Sequence, residues 1–423
     1  MYWRWPYHGV GVKGSAYFNR GREYCMAAGS SVLIVGTESD NPFAIDIAAA
    51  CGQTTDISDI VSLKTFANSE FCPRFISDEE DFANIGHKLA NTTVVIVTTT
   101  SSNFSRNELV WRTLLVARAA KDNGAARVIL VEPNLFFSAQ DRGPRPEHGQ
   151  VDFQRDARDY KKFDGQPFSS HMYAETLRLA GVDFVITVHN HSNSVLRLFS
   201  EIMPQGIMNL NPASVFADYI RHSDVAPSLH SGKGLLVCAP DKGAMPFTDS
   251  IYRILAMDSV SQLHIAKQRL GERNVTSFID SASPTTLDQV AGKDVIVFDD
   301  MVRTGITIRK CCSLLKEAGA ARTLFFVTHF YPSQEGRENL STPDIDEIVT
   351  TNTLPQVLNR DMQGRLRRKL TVLKLEKWVA CHVLTSTGAP ADQISGPLYS
   401  VDMSSKNPRW SALDREAVGF FTH

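Results

Sequence analysis

Short apolar runs rich in β-branched residues recur through the whole chain, and stretches with helical spacing separate them. Residues 31–36, 93–98, 127–131 and 184–188 form one set, and 235–238, 294–298 and 323–327 form a second. Continuously apolar runs this short predict strands buried on both faces, the pattern of parallel sheets covered by helices. Between them, residues 107–121 and 306–318 repeat apolar side chains at three- and four-residue spacing, and Gly319 follows the second stretch as a stop signal. The strand-helix-strand unit thus appears in both halves, and the expected class is α/β. At 423 residues the chain exceeds what one core usually organises, which predicts two lobes. The division falls at about residues 208–211, giving lobes at 30–208 and 209–400, an N-terminal extension at 1–29 and a tail at 401–423. Residues 142–166 and 223–234, rich in Pro, Gly and polar groups, are expected as loops.

Composition narrows the classes of function. The formal net charge is −2, from 44 basic and 46 acidic residues, so no global field exists to hold a nucleic acid or an anionic membrane, and any phosphate recognition must be local. Seven cysteines, an odd number without a C-x-x-C pair, point to reduced thiols in a cytoplasm rather than to a disulfide framework or a zinc site. No apolar run is long enough for a membrane span, and the aromatic start, Met1 to Tyr7, lacks the pattern of a signal peptide.

The string Val295-Ile-Val-Phe-Asp-Asp-Met-Val-Arg-Thr-Gly-Ile-Thr307 is the most specific local feature. It reads as a buried strand running into two carboxylates, a Thr-Gly-x-Thr turn and a helix. Main-chain N–H groups at such a turn form an anion nest, to which Thr304 and Thr307 add hydroxyl donors, so a phosphomonoester fits there. Asp299 and Asp300 sit at the carboxyl end of the strand, where open α/β sheets bind ligands, and are candidates for ribose hydroxyls or a magnesium shell; an acidic strand end that caps the next helix is the structural alternative.

This string resembles the PRPP-binding loop of the type I phosphoribosyltransferase and PRPP synthetase superfamily. Other segments resemble PRPP synthetases in particular: Phe75-Ile-Ser-Asp-Glu79, Val131 to Arg142, Val188-His-Asn-His191, Ala239-Pro-Asp-Lys-Gly-Ala244, Ile265-Ala-Lys-Gln-Arg269, Thr328 to Ser333 and Ile345 to Pro355. Most of residues 30–390 is covered. The resemblance implies two tandem phosphoribosyltransferase-like domains and a ribose-phosphate diphosphokinase, which makes PRPP and AMP from Mg-ATP and ribose 5-phosphate in a homo-oligomer built from dimers.

It also implies roles. Lys267 and Arg269 are the catalytic cations of a mobile flap; Asp299, Asp300, Arg303, Thr304, Gly305, Ile306 and Thr307 bind ribose 5-phosphate; Phe75, Ser77, Glu79, Gln140, Asp141, Arg142 and His191 bind ATP, with the Phe75 loop working across a subunit contact; His191 and Asp241 serve Mg2+. Asp241 also has a purely structural alternative as a helix N-cap. The chain departs from the family pattern at Ser77, Ala139, His189 and Arg303, where the resemblance expects Asp or Asn, Arg, Asp and Asp. Three alternatives therefore stay open: a non-catalytic regulatory paralogue, a diphosphokinase with another ribose-phosphate acceptor, and a phosphoribosyltransferase.

Overall fold

The computed structural model describes residues 31–76, 80–269, 275–280, 283–392 and 394–402. In the first half the strands are β1 (Ser31–Gly36), β2 (Val61–Thr65), β3 (Phe71–Phe75), β4 (Thr92–Val97), β5 (Arg127–Val131), β6 (Phe184–Val188) and β7 (Ile207–Leu210). Five of them form an all-parallel sheet in the order β1-β4-β5-β6-β7, and β2 and β3 form a separate antiparallel ribbon. In the second half β8 (Leu235–Ala239), β9 (Val260–Arg269), β10 (Val275–Ile279), β11 (Asp294–Val302), β12 (Arg322–Phe330), β13 (Glu347–Thr351), β14 (Leu370–Lys374) and β15 (Ser400–Asp402) make the second sheet, in the order β10-β9-β8-β11-β12-β13-β14-β15. Its interior is parallel, while β10 and β15 close the two edges antiparallel.

The patterning explains these elements. Every residue of β4 and β8 is buried, as expected for strands with helices on both faces. The helix Arg106–Asp122 starts with a capping box: Ser105 Oγ accepts from the Glu108 N–H at 3.3 Å and Glu108 Oε2 accepts from the Ser105 N–H at 2.7 Å. Such a cap contributes roughly 1 kcal/mol and fixes where the helix begins.

One hydrophobic cluster spans both lobes, and a second lies within the second lobe. The helix Glu376–Thr387 returns to pack on Pro42–Ala50, and Ala213–His222 packs on Met245–Leu255. Phe43 and Ile47 of the first lobe thus join Leu373, Trp378, Val379 and Val383 in a single buried cluster. Polar contacts follow the same seam: Lys374 Nζ lies 2.8 Å from Asp46 Oδ2, and Thr100 Oγ1 donates to Gln356 Oε1 at 2.5 Å.

The structure corrects several expectations. Strand β7 pairs with β6 through Leu210, so the first sheet ends within the range 208–211 where the division was placed. Strands β11 and β12 extend beyond 298 and 327 because their polar ends, including Asp299 and Asp300, stay in the ladder that pairs Asp299 with Val327 and Met301 with His329. The expected loops contain the helix Ala157–Lys162 and the single turn Pro227–His230. The six cysteines among the described residues are free thiols, and no described helix is long and apolar enough to cross a membrane.

Candidate active site

The loop at 303–305 hangs between β11 and the helix Ile306–Glu317. Gly305 stands before that helix at φ 66°, a left-handed conformation that only glycine adopts without strain. A brace from behind holds the loop: the Ser333 N–H donates to the Arg303 carbonyl at 3.0 Å, and Asn339 Nδ2 donates to the Thr304 carbonyl at 2.8 Å. The brace approaches so closely that a Cβ on Gly336 would overlap the Arg303 carbonyl oxygen. Thr304 is exposed and Thr307 half-buried at the mouth of the helix, an arrangement suited to an anion.

Three carboxylates meet at this strand end. Burial, then the neighbouring Asp300, then Asp241 push Asp299 well above the usual carboxylate range. Asp299 Oδ1 accepts from the Asp300 N–H at 2.9 Å, and Asp300 Oδ1 from the Met301 N–H at 2.8 Å, so main-chain donors fix both side chains. Asp241 Oδ1 accepts from the Gly243 and Ala244 N–H groups at 3.0 and 3.3 Å, which fixes the turn before the helix Met245–Leu255 rather than capping that helix, and leaves Asp241 close enough to act on Asp299. No group of three His, Cys, Asp or Glu among the described residues forms a ready-made metal cage. Carboxylates that repel one another beside a phosphate nest nevertheless fit magnesium, which is commonly held by one or two carboxylates with substrate phosphates completing its shell.

Across the seam, the first lobe contributes the ends of β5 and β6. His191 is solvent-accessible, yet protein packed around it lowers its pKa, with Asp300 and Asp141 opposing that shift and Arg303 adding to it. This places the first-lobe imidazole within electrostatic reach of the second-lobe loop. Asp141 Oδ2 accepts from Ser192 Oγ at 2.7 Å, which ties the segment that follows β5 to the start of the helix Asn193–Ile202.

The remaining predicted residues fall elsewhere. The Phe75 ring is 1% exposed and packs into the core of its own lobe, at the start of the segment expected to work across a subunit contact. Arg142 is committed to the segment that follows it: its Nη1 donates to Asp159 Oδ1 at 2.9 Å, and its guanidinium lies over Phe163. Gln140 is exposed on the first-lobe wall beside Ala139. Lys267 and Arg269 lie on β9 opposite Ser277 and Val275 of β10, in a hairpin at the sheet edge, and their side chains lie outside the described residues, as do Ser77 and Glu79 entirely.

His189 packs into the seam between the lobes. Its ring Nδ1 is 2.6 Å from Thr328 Oγ1, and the ring lies 4.0 Å from that of Phe247. Its partner across the seam, His329, points Nε2 at the Val188 carbonyl at 3.0 Å and Nδ1 at Thr353 Oγ1 at 2.9 Å. Burial pushes both imidazoles down to about 3, so they are neutral; His329 must donate from Nε2 and accept at Nδ1. This clamp holds the two halves of the site at fixed separation. The sequence segment from Thr328 to Ser333 had marked it without showing its job.

Two half-sites, each at the carboxyl end of a parallel sheet and joined by a rigid seam, define a protein of the tandem phosphoribosyltransferase fold. Residues 32–151 match the N-terminal domain of ribose phosphate pyrophosphokinase, and residues 222–357 match the phosphoribosyl transferase domain. A ribose-phosphate pyrophosphokinase of Chromobacterium violaceum is 27% identical over 249 residues, 59% of this chain and 65% of that protein; one of Thermococcus kodakarensis is 28% identical over 260 residues, 62% and 78% of the two. The fold also resembles the crystal structure of phosphoribosylpyrophosphate synthetase from Mycobacterium smegmatis, with a TM-score of 0.63 at 20% identity, covering 85% of this chain and 99% of that one. The chain belongs to the ribose-phosphate pyrophosphokinase family.

Proposed function

We propose that this chain is a ribose-phosphate diphosphokinase that converts Mg-ATP and ribose 5-phosphate into PRPP and AMP. The observation that carries the reading is the convergence of first-lobe His191 and Asp141 on second-lobe Asp300 and Arg303. A nucleotide held at the first lobe and an acceptor held at the loop would then face each other across that gap. The Thr304-Gly-Ile-Thr307 turn binds the 5-phosphate, and Asp299 and Asp300 orient the ribose hydroxyls. The anomeric hydroxyl oxygen attacks the β-phosphorus, the bond from that phosphorus to the α,β-bridging oxygen breaks, AMP leaves and the hydroxyl proton passes to solvent. Such a reaction asks the protein for positioning and charge stabilisation.

Lys267 and Arg269 stabilise the oxygens that gain charge. His191 and Asp241 orient the nucleotide phosphates and would help to hold magnesium, which when bound neutralises those phosphates and fixes their geometry. The reading extends to a cytoplasmic homo-oligomer.

Phosphorus NMR of the purified protein with magnesium, ATP and ribose 5-phosphate tests it. Equal amounts of AMP and PRPP are expected, with Lys267→Ala slower by roughly 10²–10³-fold, as for removal of a donor to a developing anion. Binding of phosphate ligands without AMP formation would overturn catalysis and leave the altered-acceptor or regulatory alternatives.

A further inference from the structure

A pocket of about 270 Å³ opens where the first-lobe wall meets the acceptor loop. Phe136, Ala139 and Gln140 form one side, Arg303 and Tyr331 the other, and Arg106 enters from the first turn of the helix Arg106–Asp122. No carboxylate lines it. Arg106 Nη2 donates to Asn134 Oδ1 at 2.8 Å and its guanidinium lies 5.2 Å from the Phe136 ring centre, so the group is held in place over the pocket wall. Opposite, Arg303 Nε donates to Tyr331 Oη at 3.2 Å. Two guanidiniums therefore share a space that the protein leaves without a lining anion. Burial lowers the Arg106 pKa; Glu132 beneath the wall and Tyr331 oppose that shift and Arg303 adds to it, so the two guanidiniums feel each other's charge.

An arginine pair of this kind is completed by phosphate, whose oxygens match the guanidinium fork. The place of the pocket selects which phosphate. Gln140 on its wall is followed directly by Asp141, which acts on His191, while Arg303 belongs to the loop that faces the acceptor. A transferring polyphosphate must lie between those two. Ala139 ends at its Cβ and gives the wall no charge of its own, so the cation comes from a different element.

We propose that Arg106 is a nucleotide-phosphate-binding residue of this chain, supplying from the helix Arg106–Asp122 the positive charge that the wall at Ala139 lacks. This rests on the diphosphokinase reading and adds a residue that no sequence motif marked.

The test is calorimetric titration of the full chain with magnesium and α,β-methylene ATP, and separately with ribose 5-phosphate. Arg106→Ala is expected to weaken the nucleotide analogue roughly 10- to 100-fold, as for loss of a charged hydrogen bond, and to leave ribose 5-phosphate within about twofold. Arg106→Lys keeps the charge without the fork and is expected to fall between. The double variant Arg106→Ala, Ala139→Arg returns a guanidinium to the same pocket from the wall and is expected to regain most of the loss, which a merely structural Arg106 would not allow.

Unchanged nucleotide affinity in Arg106→Ala overturns the proposal, as does a loss that Ala139→Arg fails to restore in a protein of wild-type melting temperature. A loss confined to ribose 5-phosphate overturns it by assigning the pocket to the acceptor. If the wild type binds the analogue in an Arg106-dependent way yet forms no PRPP, the reaction falls and this assignment stands. If PRPP forms at wild-type rate and KM for ATP in Arg106→Ala, the assignment falls and the reaction stands.

Discussion

The loop at 299–307 and the wall at 132–142 face each other across one seam, and they are built in different ways. Main-chain groups hold the loop: the Arg303 and Thr304 carbonyls accept from Ser333 and Asn339, and Gly305 and Gly336 permit the close approach. Side chains hold the wall. Glu132, fully buried beneath it, accepts from the Phe136 N–H at 2.8 Å and from Tyr173 Oη at 2.9 Å, while Asp141 is tied to Ser192 and Arg142 to Asp159. A nest made of backbone cannot change its chemistry without losing its shape. A wall made of side chains can move a cation from one element to another and keep its geometry.

The largest consequence concerns pH. Burial pushes Glu132 up to about 7, with the Phe136 N–H, Tyr173 and Arg106 pulling the other way. A carboxyl whose folded pKa is raised from 4.5 favours the folded state fully below about pH 4.5, and that advantage is lost as pH rises to about 7. At about 1.4 kcal/mol for each tenfold change in proton affinity, the whole effect is about 3 kcal/mol. Glu132→Gln keeps the shape without the charge, so its melting temperature should exceed the wild type's above pH 7 and vary less with pH below it. Parallel wild-type and mutant profiles would show that the wall does not depend on this carboxyl.

The loop should respond to geometry instead. Gly336→Ala places a methyl group where the Arg303 carbonyl now sits, and the loop must shift to accommodate it. A displacement near 1 Å of a positioned reactant costs roughly 10²-fold in turnover. The kcat/KM for ribose 5-phosphate is expected to fall by about that much, with the helix content by circular dichroism unchanged. A wild-type kcat/KM for ribose 5-phosphate in this variant would show that the brace does not position the loop.

The same contrast explains what the sequence made legible. The loop was visible because backbone conformation needs particular residues in a fixed order, Asp299 through Thr307, and because the strand before it is continuously apolar. The parallel sheets followed from the same short apolar runs. Strands β13 and β14 did not separate in the reading, because Glu347 and Lys374 at their ends and the threonines within them dilute the apolar signal even though β13 is buried throughout. Arg106 left no trace, since an arginine in the first turn of a surface helix reads as solvated until the other lobe is placed beside it. His189 was legible only as a departure from the Asp that the resemblance expects, whereas the fold uses it with Thr328 and Phe247 to fasten the lobes.

Arg303 belongs to both regions and so measures where one ends. By sequence it sits in the acceptor loop and was expected to bind ribose 5-phosphate; by side chain it faces Tyr331 and the pocket shared with Arg106. Arg303→Asp restores the residue that the resemblance expects while placing a carboxylate opposite Arg106. If the pocket is the nucleotide's, KM for Mg-ATP should rise roughly tenfold, the lower end for one charged contact, and KM for ribose 5-phosphate should change much less. A shift carried by the acceptor instead, with the ranking of acceptor phosphates altered, would assign the Arg303 side chain to the loop that bears it.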